Sequence, residues 1–226
     1  MREIILDTET TGLSYKEGDK IIEVGCVELS NHIPTGKNLH FYCSTKREIR
    51  EGAHSVHGLT NEFLKTFPSF EEQIQKFLNF IKEDTLVIHN AEFDLGFLNN
   101  ELKLAGFSEL SNKVVDTVSL ARKTLNTRIA NLDYLCKRFS IDLSQRKLHG
   151  ALKDCNLLSE VYIELLGGKQ TTLDLNKNTP KNKTQKQNIN PKDMKINTIL
   201  ITDKEIQAHK DFVKNLKNSL WGKLDY

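Results

Sequence analysis

The sequence has no long apolar run: nothing in its 226 residues approaches the roughly 18–20 consecutive apolar residues that cross a bilayer. Its opening residues, MREIILD, also lack the apolar core of a secretory signal peptide. Cysteine is scarce, and Cys26, Cys43, Cys136 and Cys155 fall at no spacing typical of a metal site or a disulfide framework. We therefore expect a cytoplasmic protein without membrane spans, whose thiols are reduced and lie in the core.

Excess charge of one sign is also missing from most of the chain. The net charge is +2, but residues 176–226 hold eleven lysines and five acids, a net of +6. The first 175 residues therefore carry a net charge of −4. This part does not bind polyanions by charge alone, so another feature must hold it near any nucleic acid.

Residues 1–168 alternate between strand and helix patterns. Three strands come first, in EIILDT, IIEVGCVEL and NLHFYC, and they predict an antiparallel meander. Later segments predict two more strands, TLVIHN and VVDT, among helices that include SFEEQIQKFLNFI with a Ser69/Glu72 capping box. A meander followed by crossover helices predicts the α/β class, with a mixed five-stranded sheet flanked by helices on both faces.

The composition changes after this region. Residues 176–193, NKNTPKNKTQKQNINPKD, contain five Asn, five Lys, two Pro and one aliphatic residue, which predicts a disordered linker. Beyond it, Thr202 and Glu205 form a second capping-box pattern. The apolar residues that follow recur near one helical face; they are Ile206, Val213, Leu216 and Leu220. We expect a catalytic domain at 1–168, a short peptide at 169–175, the linker, and a helical tail at 194–226.

Two carboxylates close the first strand. Asp7 and Glu9 are two residues apart, so both side chains project from the same face. Without a cation they would repel, and one would stay protonated. A hard divalent ion such as Mg²⁺ or Mn²⁺ removes this conflict, although acids at a strand end that simply reach solvent are common.

Further acids and a histidine accompany this pair. Asp94 falls in the first turn of the helix after VIHN, where the helix dipole favours a carboxylate. His149 precedes Asp154 by five residues, about 140° of net rotation on an ideal helix, so the two would not share a helical face. We therefore expect His149 in the loop that enters the last helix and Asp154 in its second turn. An open α/β sheet assembles its site from such positions at strand ends.

These motifs, in this order, resemble the three exonuclease motifs of the DEDDh group in the ribonuclease H-like superfamily. They are Asp7-x-Glu9, HNAEFD ending in Asp94, and HGALKD with His149 and Asp154. The segment HSVHGLT also resembles a loop of the proofreading members. The resemblance spans about residues 1–168.

The resemblance implies two-metal hydrolysis of the 3′-terminal phosphodiester, with Mg²⁺ or Mn²⁺. Asp7 would bridge both ions, Glu9 and Asp154 would complete the ion that holds the attacking water, and Asp94 would help to hold the second. His149 would be the general base, a role suited to a pKa near neutrality. The alternative for His149 is a surface histidine at a helix start.

The resemblance also implies contacts with the DNA 3′ terminus. Besides the motif acids Asp7, Glu9 and Asp154, the expected substrate-binding residues are Thr8, Thr10, Gly12, Leu13, Val56 and His57. Gly12 would let the backbone approach the terminal nucleotide closely. Leu13 and Val56 would wedge or stack the last base, and His57 would touch the strand, although a plain loop histidine fits its pattern too.

The residues after the catalytic domain resemble partner-binding segments of replication proteins. QTTLDL, with Gln170, Leu173 and Leu175, resembles a sliding-clamp peptide, a pattern that also arises by chance. The terminal helix and Trp221 resemble the tail by which bacterial proofreading exonucleases bind the catalytic subunit of their polymerase. Self-packing on the catalytic domain is the alternative for this helix.

Three functions remain open from the sequence. The first is a metal-dependent 3′→5′ exonuclease that proofreads DNA, tethered to its polymerase at a high effective concentration. The second is an RNA-trimming exonuclease of the same fold, since fold and metal site do not choose between DNA and RNA. The third is an adaptor without catalysis that bridges clamp and polymerase.

Overall fold

A computed structural model describes residues 1–144, 146, 148–167 and 201–215 of the chain. The chain divides into two units, Met1–Leu173 and Asp174–Tyr226. The described strands are β1 Arg2–Thr10, β2 Ile21–Ser30, β3 Ile33–Tyr42, β4 Thr85–Ile88 and β5 Val114–Asp116. The described helices are α1 Glu51–His57, α2 Asn61–Leu64, α3 Phe70–Ile81, α4 Ala91–Leu104, α5 Thr117–Leu125, α6 Leu132–Arg138, α7 Ala151–Leu165 and α8 Asp203–Asn215.

The first unit is built on a five-stranded sheet of order β3-β2-β1-β4-β5. β1 pairs antiparallel with β2, and β2 with β3, which confirms the predicted meander. β1 pairs parallel with β4, and β4 with β5, because helices connect these strands. The mixed five-stranded sheet predicted from the sequence is confirmed, and β1 lies at its centre.

Helices cover both faces of this sheet. Ile4 and Leu6 point to one face and pack with α3 and α4, while Ile5 points to the other and packs with α5, α6 and α7. This alternation along β1 follows from the period of two in a strand. The central strand is therefore buried on both faces, and its end is reached by helices from each side.

The α7 helix lies unusually close to the sheet at Gly25 of β2. A Cβ atom on Gly25 would lie 2.4 Å from the backbone carbon of Ala151 and 2.5 Å from the nitrogen of Leu152. Only glycine permits this approach. The contact fixes the start of α7, and with it Asp154, against the strand pair that carries Asp7, which is the register partner of Gly25.

Several helices of the first unit were not predicted. The segment HSVHGLT, expected to form a loop, instead contains the end of α1, which closes at His57 with Gly58 in the left-handed region (φ 73°). Neither α2 nor α5 was predicted either. The Ser69/Glu72 capping box is confirmed, and the four cysteines are free and buried, as expected.

The described part of the second unit is α8. Its start carries the predicted capping box, because Thr202 Oγ1 lies 3.4 Å from the Glu205 nitrogen and the Glu205 carboxylate lies 2.9 Å from the Thr202 nitrogen. Ile206 is 42% exposed, and Val213 is buried. The other residues predicted to bind partners lie outside the described residues, as does the linker 176–193; they are Gln170, Leu173, Leu175, Leu216, Leu220 and Trp221. Among the described helices, none is long and apolar enough to span a membrane.

Candidate active site

The end of β1 brings two acids to the middle of the sheet. Asp7 and Glu9 lie on the same face of the strand as Ile5, towards α7. Glu9 is paired in register with Glu23 of β2, and a β-bulge follows immediately at Thr10. Because both acids are embedded in the protein and face other carboxylates, their ionised forms are disfavoured.

Asp94 reaches the same point from α4. The helix begins after Asn90, which adopts the left-handed conformation (φ 65°), and Asp94 lies in its first turn as predicted. Its Oδ1 accepts hydrogen bonds from Thr8 at two atoms, the backbone nitrogen at 3.0 Å and Oγ1 at 2.7 Å. Burial raises the pKa of Asp94 to about 7 even though these hydrogen bonds oppose the rise.

His149 and Asp154 arrive from the start of α7. His149 lies in the loop before the helix, as predicted, and its backbone nitrogen donates to the carbonyl of Val56 at 3.1 Å. Asp154 is the fourth helical residue and belongs to the first turn, not the second as expected. The prediction was one turn late because α7 begins only after Gly150. His149 Nδ1 lies 3.4 Å from Asp154 Oδ2, so the loop brings the two side chains together.

One arginine, missed by the sequence analysis, is bound to this pair. Arg146 donates from Nε to Asp154 Oδ1 and from Nη2 to Oδ2, both at 2.7 Å. Its Nη1 donates to Asp133 Oδ1 at 2.5 Å, and its Nη2 lies 3.1 Å from His149 Nδ1. Burial lowers the pKa of His149, and the nearby guanidinium lowers it further. The imidazole is therefore neutral near neutral pH.

The remaining carboxyl groups hold protons more tightly than free acids do. Burial raises the pKa of Glu9 to about 8, and repulsion from Glu23, Asp154 and Asp94 adds to the effect. Burial and the charges of Asp94 and Glu9 raise the pKa of Asp7 well above its ordinary value. Close carboxyl groups with raised pKa values are typical of functional sites.

The donor set fits a divalent metal. Glu9, His149 and Asp154 each offer one ligand atom, and the three atoms lie within 4.8 Å of one another. Oxygen ligands predominate, which is the preference of Mg²⁺ and Mn²⁺. A bound cation would also offset the repulsion that raises the pKa values of Asp7 and Glu9. The residues present therefore fit the expected group.

A cleft of about 850 Å³ opens above these acids. All six other residues expected to bind substrate line it, namely Thr8, Thr10, Gly12, Leu13, Val56 and His57. Leu13 is 85% exposed and Val56 41% exposed, so both offer apolar surface to a ligand. Asp7, Glu9 and His149 also line the cleft, whereas Asp154 does not.

Gly12 is required by a close approach, although not by its backbone angles. A Cβ atom there would lie 2.3 Å from Asp19 Oδ2 and 2.8 Å from Arg50 Cδ. The Asp19 side chain is fully buried and pairs with Arg47 and Arg50. This charge cluster supports the turn after β1, and the sequence analysis did not identify it.

Glu23 was also missed, although a signal was present. It is a buried acid in the apolar pattern of β2, and its Oε1 lies 2.7 Å from His40 Nε2. The same pattern contains Glu28, which pairs with Arg2 on the opposite face of the sheet from Asp7 and Glu9. A charge in a strand therefore does not by itself reveal which acids face the site. Arg146 carries no signal, because it lies in a polar loop.

The sequence matches the family described as Exonuclease over residues 4–162. The DNA polymerase III subunit epsilon of Rickettsia felis is 44% identical over 223 residues, which cover 96% of this chain and 97% of the relative. The subunit of the same name from Escherichia coli K12 is 40% identical, covering 92% of this chain and 90% of the relative. The chain belongs to the epsilon subunit family of exonucleases.

Solved structures show the same fold. The nuclease domain of 3′hExo, a DEDDh family member bound to rAMP, has a TM-score of 0.65 at 16% identity and covers 73% of this chain and 91% of that one. Exonuclease X in complex with 5′ overhanging duplex DNA has a TM-score of 0.59 at 23% identity and covers 73% of this chain and 90% of that one.

The family establishes the activity of the chain. It is a 3′→5′ exonuclease, as predicted, and it belongs to a class of nucleases that depend on divalent metal ions. The ribonuclease H-like fold and the DEDDh resemblance predicted from the sequence are confirmed.

Proposed function

We propose that this chain proofreads for a bacterial DNA polymerase III in the cytoplasm, removing misincorporated nucleotides from the DNA 3′ terminus with two divalent ions, Mg²⁺ or Mn²⁺. The observation that carries the site assignment is the convergence of Asp7, Glu9, Asp94, His149 and Asp154 at the end of one central strand. Relatives that bear the epsilon name over nearly the whole chain support the biological role.

Each side chain has a defined task in this proposal. Glu9 and Asp154 would hold one ion, Asp94 would help to hold the other, and Asp7 would contribute to both. The ions would lower the pKa of the attacking water and stabilise negative charge on the leaving 3′ oxygen. His149 accepts the water proton, because its lowered pKa keeps the imidazole neutral and able to act as a base. The exposed side chains of Leu13 and Val56 contact the terminal nucleotide.

Digestion of a 3′-labelled primer–template tests this function. We expect the full chain to release 3′ nucleotides with Mg²⁺ or Mn²⁺, to stop in EDTA, and to act faster on a mismatched than on a paired end. A short RNA in the same assay separates the alternatives. Preference for RNA would assign the chain to RNA trimming, and no activity on either substrate would support an adaptor.

Two variants test the site assignment in that assay. Asp7→Asn removes the charge that contacts both ions, and we expect its rate to fall by at least about a hundredfold, or about 2.7 kcal/mol. Glu71→Gln removes an exposed acid from α3, outside the cleft, and should leave the rate unchanged. An active Asp7→Asn variant would overturn the assignment.

We further propose that residues 169–175 bind the sliding clamp through Gln170, Leu173 and Leu175. The support is the spacing of an amide and two aliphatic side chains directly after the catalytic domain. Replacing Gln170 and Leu173 with Ala should weaken clamp binding, measured by surface plasmon resonance, while nuclease activity persists. Unchanged clamp binding would reject this peptide as the contact.

We also propose that the tail 194–226 binds the polymerase III catalytic (alpha) subunit. The support is the amphipathic pattern that runs from Ile206 and Val213 in α8 through Leu216, Leu220 and Trp221, and the capping box that starts the helix. Truncation after Pro191 should leave a folded, active exonuclease that no longer co-purifies with the alpha subunit. Continued co-purification would place the contact elsewhere.

A further inference from the structure

The guanidinium of Arg146 supplies the positive charge on the Asp154 side of the site. Both carboxylate oxygens of Asp154 accept hydrogen bonds from it at 2.7 Å, one from Nε and one from Nη2. Such a bidentate pair is among the strongest that side chains form. Asp154 is 4% exposed and does not line the cleft, whereas Asp7, Glu9 and Asp94 do. The arginine thus engages both oxygens of the one motif acid that does not line the cleft.

The same arginine also forms a hydrogen bond with His149. Its Nη2 lies 3.1 Å from His149 Nδ1, and because arginine has no acceptor atom, Nδ1 must accept this hydrogen bond. A neutral imidazole that accepts at Nδ1 carries its proton on Nε2. Neither nitrogen is then able to take a proton from water, so His149 cannot act as a base while the contact persists.

The Arg146 side chain is itself only 8% exposed, but one of its two carboxylate partners lies at the surface. Arg146 lies between α6 and α7, outside any described helix or strand, and its backbone nitrogen donates to the carbonyl of Leu143 at 2.9 Å in a local turn. Its outer anchor is Asp133, whose side chain is 54% exposed. Rotation about the bonds of the Arg146 side chain would carry the guanidinium away from Asp154 and towards the exposed Asp133.

We propose that Arg146 is an internal counter-cation, which neutralises Asp154 while no metal is bound. A divalent ion that binds at Glu9 and Asp154 displaces it. The inference rests on the metal site proposed above. A guanidinium keeps its charge at any working pH, so it cannot yield by losing a proton. A divalent ion beside it would be repelled by that charge and would find both oxygens of Asp154 engaged. Metal binding and release of Arg146 are therefore one exchange, which frees His149 at the same moment.

Mn²⁺ binding to the full chain, without substrate, tests the exchange. Free Mn²⁺ is measured by electron paramagnetic resonance for the wild type and for Arg146→Met, which keeps much of the side-chain length and removes the charge. Two Mn²⁺ ions should bind, each with its own dissociation constant. For Arg146→Met we expect the constant of the ion at Glu9 and Asp154 to fall about tenfold, or about 1.4 kcal/mol, and that of the other ion to change little. Arg138→Met removes the same charge from an exposed position at the end of α6 and should leave both constants unchanged.

A second variant keeps the test decisive should Arg146→Met fail to fold. Asp133→Asn weakens only the exposed anchor of Arg146, so we expect a smaller decrease in the same dissociation constant, about two- to threefold. Equal or weaker Mn²⁺ binding in the variants would overturn the exchange, and weaker binding would make Arg146 a residue that positions Asp154. If the wild type and every variant fail to bind Mn²⁺, the metal site proposed above is wrong instead.

Discussion

The crowded carboxylates predict that the metal-free protein is stabilised when one of them is neutralised. Burial and neighbouring acids raise the pKa of Glu9 from 4.5 to about 8. Between these values the folded protein retains a proton that the unfolded chain releases, so the free energy of unfolding falls as the pH rises through this window. The Glu9→Gln variant keeps the shape of the side chain and lacks this loss.

The size of the effect follows from the same pKa values. A rise from 4.5 to about 8 corresponds to about 5 kcal/mol above pH 8, at about 1.4 kcal/mol for each unit of pKa. The repulsion energy is shared between Glu9 and the acids around it, so replacing Glu9 alone does not recover all of it. We therefore expect Glu9→Gln to raise the free energy of unfolding by about 2–3 kcal/mol. For a chain of this length that corresponds to a melting temperature higher by about 4–12 °C.

Thermal unfolding in EDTA, from pH 5 to pH 9, measures this difference. Glu9→Gln should melt close to the wild type at pH 5 and well above it at pH 9, and Glu71→Gln, on an exposed position of α3, should follow the wild type throughout. With saturating Mn²⁺ the order should reverse, because the wild type gains more binding energy. A Glu9→Gln variant that is no more stable at pH 9 in EDTA would show that the acids do not repel one another as argued.

Three further results are expected. Gly25→Ala places a Cβ 2.4 Å from the α7 backbone, so it should lower the free energy of unfolding by about 1–3 kcal/mol in urea titrations; Gly52→Ala, whose Cβ meets nothing within 4 Å, should not. Thr8→Val removes the 2.7 Å hydrogen bond to Asp94 and should move the pH midpoint of Mn²⁺ binding upwards. Calorimetry in buffers of different ionisation enthalpy should show that Mn²⁺ releases protons at pH 7, and no release would contradict the raised pKa values of Glu9 and Asp94.

Local patterns were enough to predict the sheet. Each strand segment found in the sequence contains an alternating pattern or a short apolar run. The capping box at Ser69 marks its helix because two side chains three residues apart satisfy the first backbone groups. The α1 and α2 helices have seven and four residues and bury one side chain each. Elements this short depend on contacts with distant residues, and their own periodicity is too brief to identify them.

The site divides in the same way. The carboxylates were found because their chemistry is unusual in a buried strand and because their order resembles a known family. Arg146 and Glu23 act through contacts that only the folded chain creates. Arg146 meets Asp154 eight residues away across a loop, and Glu23 meets Glu9 through strand pairing. The sequence reveals which groups can hold a metal, whereas the fold determines which other charged side chains lie in contact with those groups.

The charges of the site and of its substrate favour a coupled mechanism. The first 175 residues have a net charge of −4, and the cleft contains several acids, so a DNA end is repelled from the metal-free enzyme. Two divalent ions would offset the four negative charges of Asp7, Glu9, Asp94 and Asp154. The displaced guanidinium of Arg146 would keep its own positive charge beside the exposed Asp133. Metal loading would thus create both the reactive centre and the attraction for DNA, while tethering through the tail would keep the enzyme near the primer end between these events.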